Sequence, residues 1–331
     1  MHEPAFWWQP GSVAETLLAP LAVAYGALAG ARLALPGRAA GVPVICVGNF
    51  TVGGAGKTPT ALAIGRLLIA AGRRPFFLSR GYGGRLAGPV LVDAKHRAAD
   101  VGDEPLLLAR IAPTIVARNR AAGAEAARLA GAEVIVMDDG FQNPSLVKDF
   151  SLLVVDGRRG VGNGSVLPAG PLRAPLASQL ARAHAVLVVG AVSGAEPVVV
   201  AARSRGLPIF HGRLVADAKA LDRIREHKVF AFAGIADPDK FFATLEDARI
   251  DIQLRYAFPD HHPYRGADIL ALLARAEHEG LVLVTTEKDF VRLSGVPDAG
   301  PLLEVLRVIP VTLAVDEAEE FQKTILGAVG R

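Results

Sequence analysis

The chain has 331 residues, 51% hydrophobic and 21% charged, a size and composition that suit two globular domains with sizeable cores. A net charge of +3, with no Lys/Arg run and no aromatic-basic stripe, argues against a nucleic-acid partner. The single cysteine, Cys46, excludes a disulfide framework and fits a reducing compartment.

The chain opens on Phe6-Trp7-Trp8 and an apolar run from Leu17 to Ala31, interrupted by Pro20, Gly26 and Gly30 and closed by Arg32. The run is long enough to be weighed as a membrane span, and the interruptions weaken that reading. A secretory signal needs basic residues ahead of the apolar stretch, and only Glu3 and Glu15 stand there. Two tryptophans suit a membrane interface. The expectation is an apolar helix lying on or partly in the cytoplasmic leaflet; the alternative is a core helix capping a sheet. Any anchoring is hydrophobic, since residues 1–40 carry Glu3 and Glu15 against Arg32 and Arg38, with no basic patch.

Val44 to Val47 is a short apolar run suited to a buried parallel strand. Thr51-Val52-Gly53-Gly54-Ala55-Gly56-Lys57-Thr58 follows, and then a predicted helix over Pro59–Ala71. Strand, glycine-rich turn and helix start make a phosphate-binding loop. Its glycines let backbone N–H groups converge on phosphate oxygens, and the helix dipole adds to this. Lys57 would reach the β- and γ-phosphates, and the Thr58 hydroxyl would ligate Mg²⁺. Thr51 stands where the general pattern has glycine; the alternative is a surface turn that happens to precede a lysine.

Beyond the loop, predicted strands at 75–79, 114–117, 133–137, 151–156, 185–189 and 208–210 alternate with helical stretches such as 119–130, the pattern of a doubly wound α/β sheet. A long Gly/Pro-rich stretch between Asp156 and Pro175 is expected to be functional. Leu214–His227 reads as charged and mostly helical. A second αβ set follows: strand 228–233, helix 238–248, strand 251–256, helix 267–279 and strand 281–285. It carries no phosphate loop and is expected to close over the first.

Four stretches carry further chemistry. The strand at 133–137 runs into Asp138-Asp139, and an acid at the carboxyl end of a parallel strand can hold Mg²⁺ directly or through water. Gly140-Phe141 then turns Gln142 inward; the alternative is a helix cap with a solvated neighbour. Asp103-Glu104-Pro105 opens a predicted helix at 106–111, where capping alone explains the acids. His261-His262 lies in FPDHHPY; neighbouring histidines rarely chelate one metal, but one beside Asp260 could act as, or be oriented as, a general base. Ser79-Arg80-Gly81-Tyr82-Gly83-Gly84 could grip an anionic or sugar substrate or be an ordinary loop. Thr286-Glu287-Lys288-Asp289 only superficially resembles a guanine-reading motif, which favours adenine.

Taken together, VGNFTVGGAGKTPT, SRGYGG, GDEP, DDGFQ, VDGRRGVGNGSVLPAGPLR, FAGIADPDKFF, FPDHHPY and TTEKDFVRL, in that order, resemble the tetraacyldisaccharide 4′-kinase family of Gram-negative bacteria over nearly the whole chain. The resemblance implies membrane-surface enzymes with an apolar N-terminal helix, two α/β/α domains and a two-stranded linker. It also implies ATP- and Mg²⁺-dependent phosphorylation of the 4′-hydroxyl of a tetraacylated glucosamine disaccharide 1-phosphate in lipid A biosynthesis. By it, Asp103 and His261 form a catalytic dyad in which Asp103 takes the hydroxyl proton and His261 orients it. Lys57 binds phosphate, Thr58 the metal, and Glu104, Asp138, Asp139 and Gln142 surround Mg²⁺ and the γ-phosphate. Arg173 neutralises developing charge. The chain departs from the family pattern at Asn143, where histidine is usual, and at Ala174, where an acid is usual.

The expected organisation is a membrane-associated segment at 1–40, a P-loop nucleotide-binding kinase domain at 41–220 and a smaller C-terminal α/β domain at 221–331. The protein is expected to be a monomer on the cytoplasmic face of the bacterial inner membrane. The rival function is a membrane-attached P-loop ATPase switch, which would share the loop, the strand-end acid and the helix but would need no acceptor.

Overall fold

The run Val44–Asn49 forms strand β1 with all six residues buried, as a strand covered on both faces requires. In this computed structural model, which describes residues 3–330, it is followed by β2 (Pro75–Ser79), β3 (Val90–Leu91), β4 (Thr114–Val116), β5 (Val134–Asp138), β6 (Phe150–Asp156), β7 (Ala185–Val189) and β8 (Ile209–Ala216). Then come β9 (Lys228–Ala233), β10 (Asp251–Ala257), β11 (Val282–Thr286), β12 (Arg307–Ile309) and β13 (Val311–Val315). Nine strands form one sheet in the order β13-β8-β7-β6-β1-β5-β2-β4-β3, and four form a second, β10-β9-β11-β12. Pairings from β2 through β1 to β8 are parallel; only the edge strands β3 and β13 run antiparallel.

After β1 the chain builds outward through β2 and β4 to one side, then returns to place β6, β7 and β8 on the other. Strand order therefore reverses beside β1, where the carboxyl ends of an open α/β sheet leave a crevice for ligands. Apolar layers cover both faces of the large sheet, one around Val44, Met137 and Leu153 and the other around Ile45, Leu68 and Phe77. The small sheet is likewise covered on both sides. This is the expected pair of α/β/α units.

Two expectations are corrected. Leu214–His227 is not mostly helical: β8 runs on to Ala216 and only Ala218–Asp222 is helix. The extension exists because β13, about a hundred residues downstream, pairs antiparallel with β8 from Gly212 to Ala216. Nor does 221–331 stay in one unit. Val311–Val315 joins the large sheet, and the helix Ala318–Val329 packs Phe321 and Ile325 into the same core as Ile64 and Leu68. Strands β8 and β13, paired at one edge of the large sheet, carry the chain out to the small unit and back.

The helix Val13–Leu33 lies along the large unit with only Ala22 and Gly26 buried. Gly26 lies against Pro175, where a Cβ would make ordinary van der Waals contact at 3.5 Å. Val13, Leu17, Leu21, Val23 and Leu28 are each more than 60% exposed, so it does not serve as a core helix capping a sheet. It is long and apolar enough to cross a membrane by length and composition.

Candidate functional site

The loop after β1 is shaped by backbone that only glycine adopts freely. Gly53 (φ 99°) and Gly56 (φ 93°) are left-handed, and Gly56 caps the helix Lys57–Ala70, which starts two residues earlier than Pro59 suggests. Asn49 donates its side-chain amide to the Gly53 carbonyl at 3.1 Å, and Lys57 Nζ reaches the same oxygen at 3.3 Å. The lysine lies 3.8 Å from Asp139, a loose pairing that leaves its charge available. The Asp156–Pro175 stretch folds against this loop: Val52 N donates to Pro171 O, and Arg173 N to Phe50 O.

At the end of β5 the two carboxylates divide. Asp138 is buried and accepts from the Thr58 hydroxyl at 3.1 Å on Oδ2, while its buried Oδ1 has no partner. Burial first, then the nearby Glu104 charge, push its pKa up to about 7, with Lys57 pulling the other way. Asp139, at a left-handed φ of 53°, accepts two hydrogen bonds from Arg173, at 2.7 and 3.1 Å. Burial would raise its pKa, but the charges of Lys57 and Arg173 outweigh it and hold the group down to about 2. Arg173 also donates to Thr51 O at 2.9 Å and approaches Gln142 Oε1 at 3.3 Å. Gln142 is spent on structure, its amide donating to Asn49 O and Gln179 Oε1.

The second cluster lies where the two units meet. The helix Asp103–Leu108 begins at Asp103 itself, so Asp103 and Glu104 occupy its first turn. The helix Glu287–Leu293, capped by Thr286, packs across it from the small unit. Asp103 Oδ2 accepts from Arg292 Nε at 2.9 Å and Nη2 at 2.5 Å, and His261 Nδ1 stands 3.4 Å from the same oxygen. Burial would raise the Asp103 pKa; the His261 hydrogen bond and the charges of Lys288 and Arg292 carry it well below the carboxylate range instead. His261 is displaced upward by its bond to Asp103, partly opposed by burial. It too has a left-handed backbone, φ 55°, so an expected site residue from each unit is held in a conformation that L-residues avoid. Glu104 accepts from Lys288 at 2.8 Å.

The residues expected to act together therefore form two groups rather than one. Thr58 and Asp138 meet, with Lys57 beside Asp139; Asp103 and His261 meet at the seam. Glu104, Asp139 and Gln142 face Lys288, Arg173 and backbone respectively, and among the described residues no cluster of three or more His, Cys, Asp or Glu is placed to hold a metal. Three residues escaped sequence reasoning. Arg292 and Lys288 pair with acids more than 180 positions earlier, and buried Gln179 donates to Phe50 O and Ala174 O behind the loop. The only sequence signal for Lys288 and Arg292 was TTEKDFVRL, whose Thr286–Asp289 stretch resembles a guanine-reading motif only superficially; Gln179 gave none.

A model of the family described as tetraacyldisaccharide-1-P 4′-kinase matches residues 14–330. A protein named tetraacyldisaccharide 4′-kinase from Rhodopseudomonas palustris strain BisB5 is 52% identical over 332 residues, covering 100% of this chain and 98% of its own length. One of the same name from Methylobacterium sp. strain 4-46 is 56% identical over 317 residues, 95% of this chain and 93% of its own. Among solved structures, the Aquifex aeolicus protein LpxK in complex with ATP superposes with a TM-score of 0.76 at 27% identity, over 95% of this chain and 99% of that one.

Proposed function

The chain belongs to the tetraacyldisaccharide 4′-kinase family, and from that premise we propose how its two residue groups divide one phosphoryl transfer. It is a kinase that uses ATP to phosphorylate a tetraacyldisaccharide 1-phosphate at the 4′-position. The acceptor fits a glucosamine disaccharide of lipid A biosynthesis. The observation that carries the division is the unpaired, buried Oδ1 of Asp138, whose other oxygen accepts from the Thr58 hydroxyl, with Asp103 and His261 paired at the seam.

Phosphoryl transfer asks for positioning and charge neutralisation more than covalent help. The loop N–H groups and Lys57 hold the triphosphate. Lys57 and Arg173 together keep Asp139 ionised, and Arg173 ties the 157–175 segment to the loop. The Asp103–His261 pair receives the acceptor hydroxyl. The donor set of Thr58 Oγ1 and the orphan Asp138 Oδ1 fits Mg²⁺, a hard cation that takes one carboxylate, one hydroxyl and phosphate oxygens. When bound, Mg²⁺ supplies neutralisation of phosphate charge.

The raised pKa of Asp138 makes cation binding pH-dependent. Below about pH 7 a bound proton must be displaced first, so the apparent Mg²⁺ affinity of the nucleotide-loaded enzyme is expected to fall, approaching about tenfold per pH unit. Mg²⁺ titrations at several pH values would show this slope in the native protein and a flatter one in Asp138→Asn. Equal slopes would contradict it.

The exposed side chains of the helix Val13–Leu33 support anchoring at a membrane, and the proposed setting is a monomer on the cytoplasmic leaflet of the inner membrane. Leu21→Asp with Val23→Asp is expected to lower partition onto phospholipid vesicles about tenfold or more, measured by co-sedimentation. Unchanged partition would remove the anchor.

The kinase reading is tested by ADP release with and without the tetraacyldisaccharide 1-phosphate in mixed micelles. Strong stimulation by the lipid is expected; ATP consumption indifferent to it would favour the ATPase switch.

A further inference from the structure

We propose that Arg159 is a second arginine for the phosphates of ATP, and that the carboxylate of Glu3, which pairs with it on the phosphate loop, is the anion that the terminal phosphate displaces. The inference rests on reading the loop as the ATP site and deepens it, adding one residue to the phosphate contacts and one competitor for them.

Strand β6 lies beside β1 on the side away from β5, so the turn after Asp156 flanks the loop opposite Asp138. Asp156 Oδ1 accepts from the backbone N–H groups of Arg158 and Arg159, at 3.0 and 3.1 Å, which fixes the chain there. The Arg159 guanidinium lies over the Trp8 ring, with Cζ 4.2 Å from the centroid, and its Nη1 is 3.1 Å from Glu3 Oε2. The other carboxylate oxygen, Oε1, presses on the loop, for a Cβ on Gly53 would collide with it. Gly53 is also the residue whose carbonyl takes Lys57 Nζ, at 3.3 Å. A lysine in that place serves the β- and γ-phosphates. The Glu3–Arg159 pair therefore sits at the terminal-phosphate end of the loop.

The two partners are unequally committed. Arg159 keeps its backbone bond to Asp156 and its stacking on Trp8 whether or not Glu3 is present, and among the described residues it has no other acidic partner for its guanidinium. A guanidinium matches two phosphate oxygens as well as it matches a carboxylate. Glu3 is poorly stabilised as an anion. Burial, with the charge of Asp237 adding to it, raises its pKa against the pull of Arg159 and the Trp8 indole. The indole is near but makes no bond, for Trp8 Nε1 is buried without a hydrogen-bond partner. The rest of the N-terminal segment is fastened elsewhere. Trp7 Nε1 donates to Pro168 O at 3.0 Å, Asn163 N to Trp7 O at 2.8 Å, and the Ser165 hydroxyl to Glu15 at 2.8 Å. The Glu3 side chain can thus swing off Gly53 without unseating that segment.

The exchange is ionic. Arg159 gives up a carboxylate oxygen for phosphate oxygens, and no proton moves, because the guanidinium stays charged at working pH. Its charge then offsets the charge that builds on the transferring group.

The test compares ATP and ADP binding by calorimetry with Mg²⁺, on the full chain in detergent micelles, alongside lipid phosphorylation. Glu3→Gln and Glu3→Ala should each bind ATP about 3- to 10-fold more tightly than the native chain and ADP nearly as the native chain does, because no binding-competent fraction is lost to the carboxylate. Arg159→Met should weaken ATP about tenfold, leave ADP within about twofold and lower turnover about 10²-fold, with Arg159→Lys recovering part of both losses. In an Arg159→Met background, Glu3→Gln should move ATP affinity by less than about twofold, since the carboxylate has lost the cation that pairs with it there. An ATP affinity unchanged or weaker in both Glu3 variants, the sign expected of a pin that only fastens the N-terminal segment, overturns the proposal. So does an equal loss of ATP and ADP affinity in Arg159→Met. ATP consumption by the native chain that ignores the lipid would instead overturn the kinase reading, so the two failures are distinct.

Discussion

Lys57→Met is expected to lower turnover by about 10³-fold while leaving the thermal midpoint near that of the native chain. One preorganised donor to developing charge is worth about 10²–10³ in turnover, and a full cation aimed at transferring phosphate is worth at least that. The small effect on stability follows from the pairing. Nζ makes one hydrogen bond, to Gly53 O, and stands 3.8 Å from an Asp139 that Arg173 already holds by two shorter bonds. Methionine keeps the apolar stem of a side chain that is 9% exposed. Steady-state lipid phosphorylation with a thermal scan would check both halves; turnover within tenfold of native would show that Nζ does not serve the phosphates.

Arg173→Ala is expected to damage both activity and stability. The guanidinium joins its own segment to two others: the turn after β5, through Asp139 and Gln142 Oε1, and the loop, through Thr51 O. Without it the 157–175 segment loses its side-chain tie to the loop, and turnover should fall about 10²–10³-fold with a higher KM for ATP. Asp139 is half-buried and retains Lys57, so the stability cost is about 1–2 kcal/mol rather than that of an orphaned buried charge. The pH signature has a definite sign. A carboxyl depressed to about 2 stabilises the fold above its unfolded pKa near 4, and that contribution is lost as pH falls toward 2. The variant should therefore lose less stability than the native chain on acidification from pH 5 to 3. Equal acid sensitivity would mean that Arg173 adds nothing to what Lys57 does in holding Asp139 ionised.

What the sequence made legible is what local physics fixes. A buried β-branched run, glycines at positions that demand left-handed backbone and a lysine at a helix start can mean little besides a phosphate loop. An apolar strand ending in acids placed Asp138 beside it. The parallel order of the large sheet followed from alternating strands and helices. Hidden features were those set by distant partners. Leu214 and Val215 look like the start of a charged helix until β13 arrives to pair with them. Asp138 and Asp139 are equivalent on paper, and only the placement of Thr58 and Arg173 separates them. Asp103 looked like a helix cap, and its link to His261 came from family resemblance; Arg292, which grips it across 189 positions, gave no local signal. Glu104, expected near the metal, is turned to Lys288 by the same packing of the two units.

The decisive measurement is the position of the new phosphate. Phosphorus NMR of the lipid recovered after incubation with ATP and the tetraacyldisaccharide 1-phosphate should show a second phosphomonoester, coupled to the 4′ proton, appearing in step with ADP. ADP accompanied by inorganic phosphate, with the lipid unchanged, would contradict a hydroxyl acceptor at the Asp103–His261 seam.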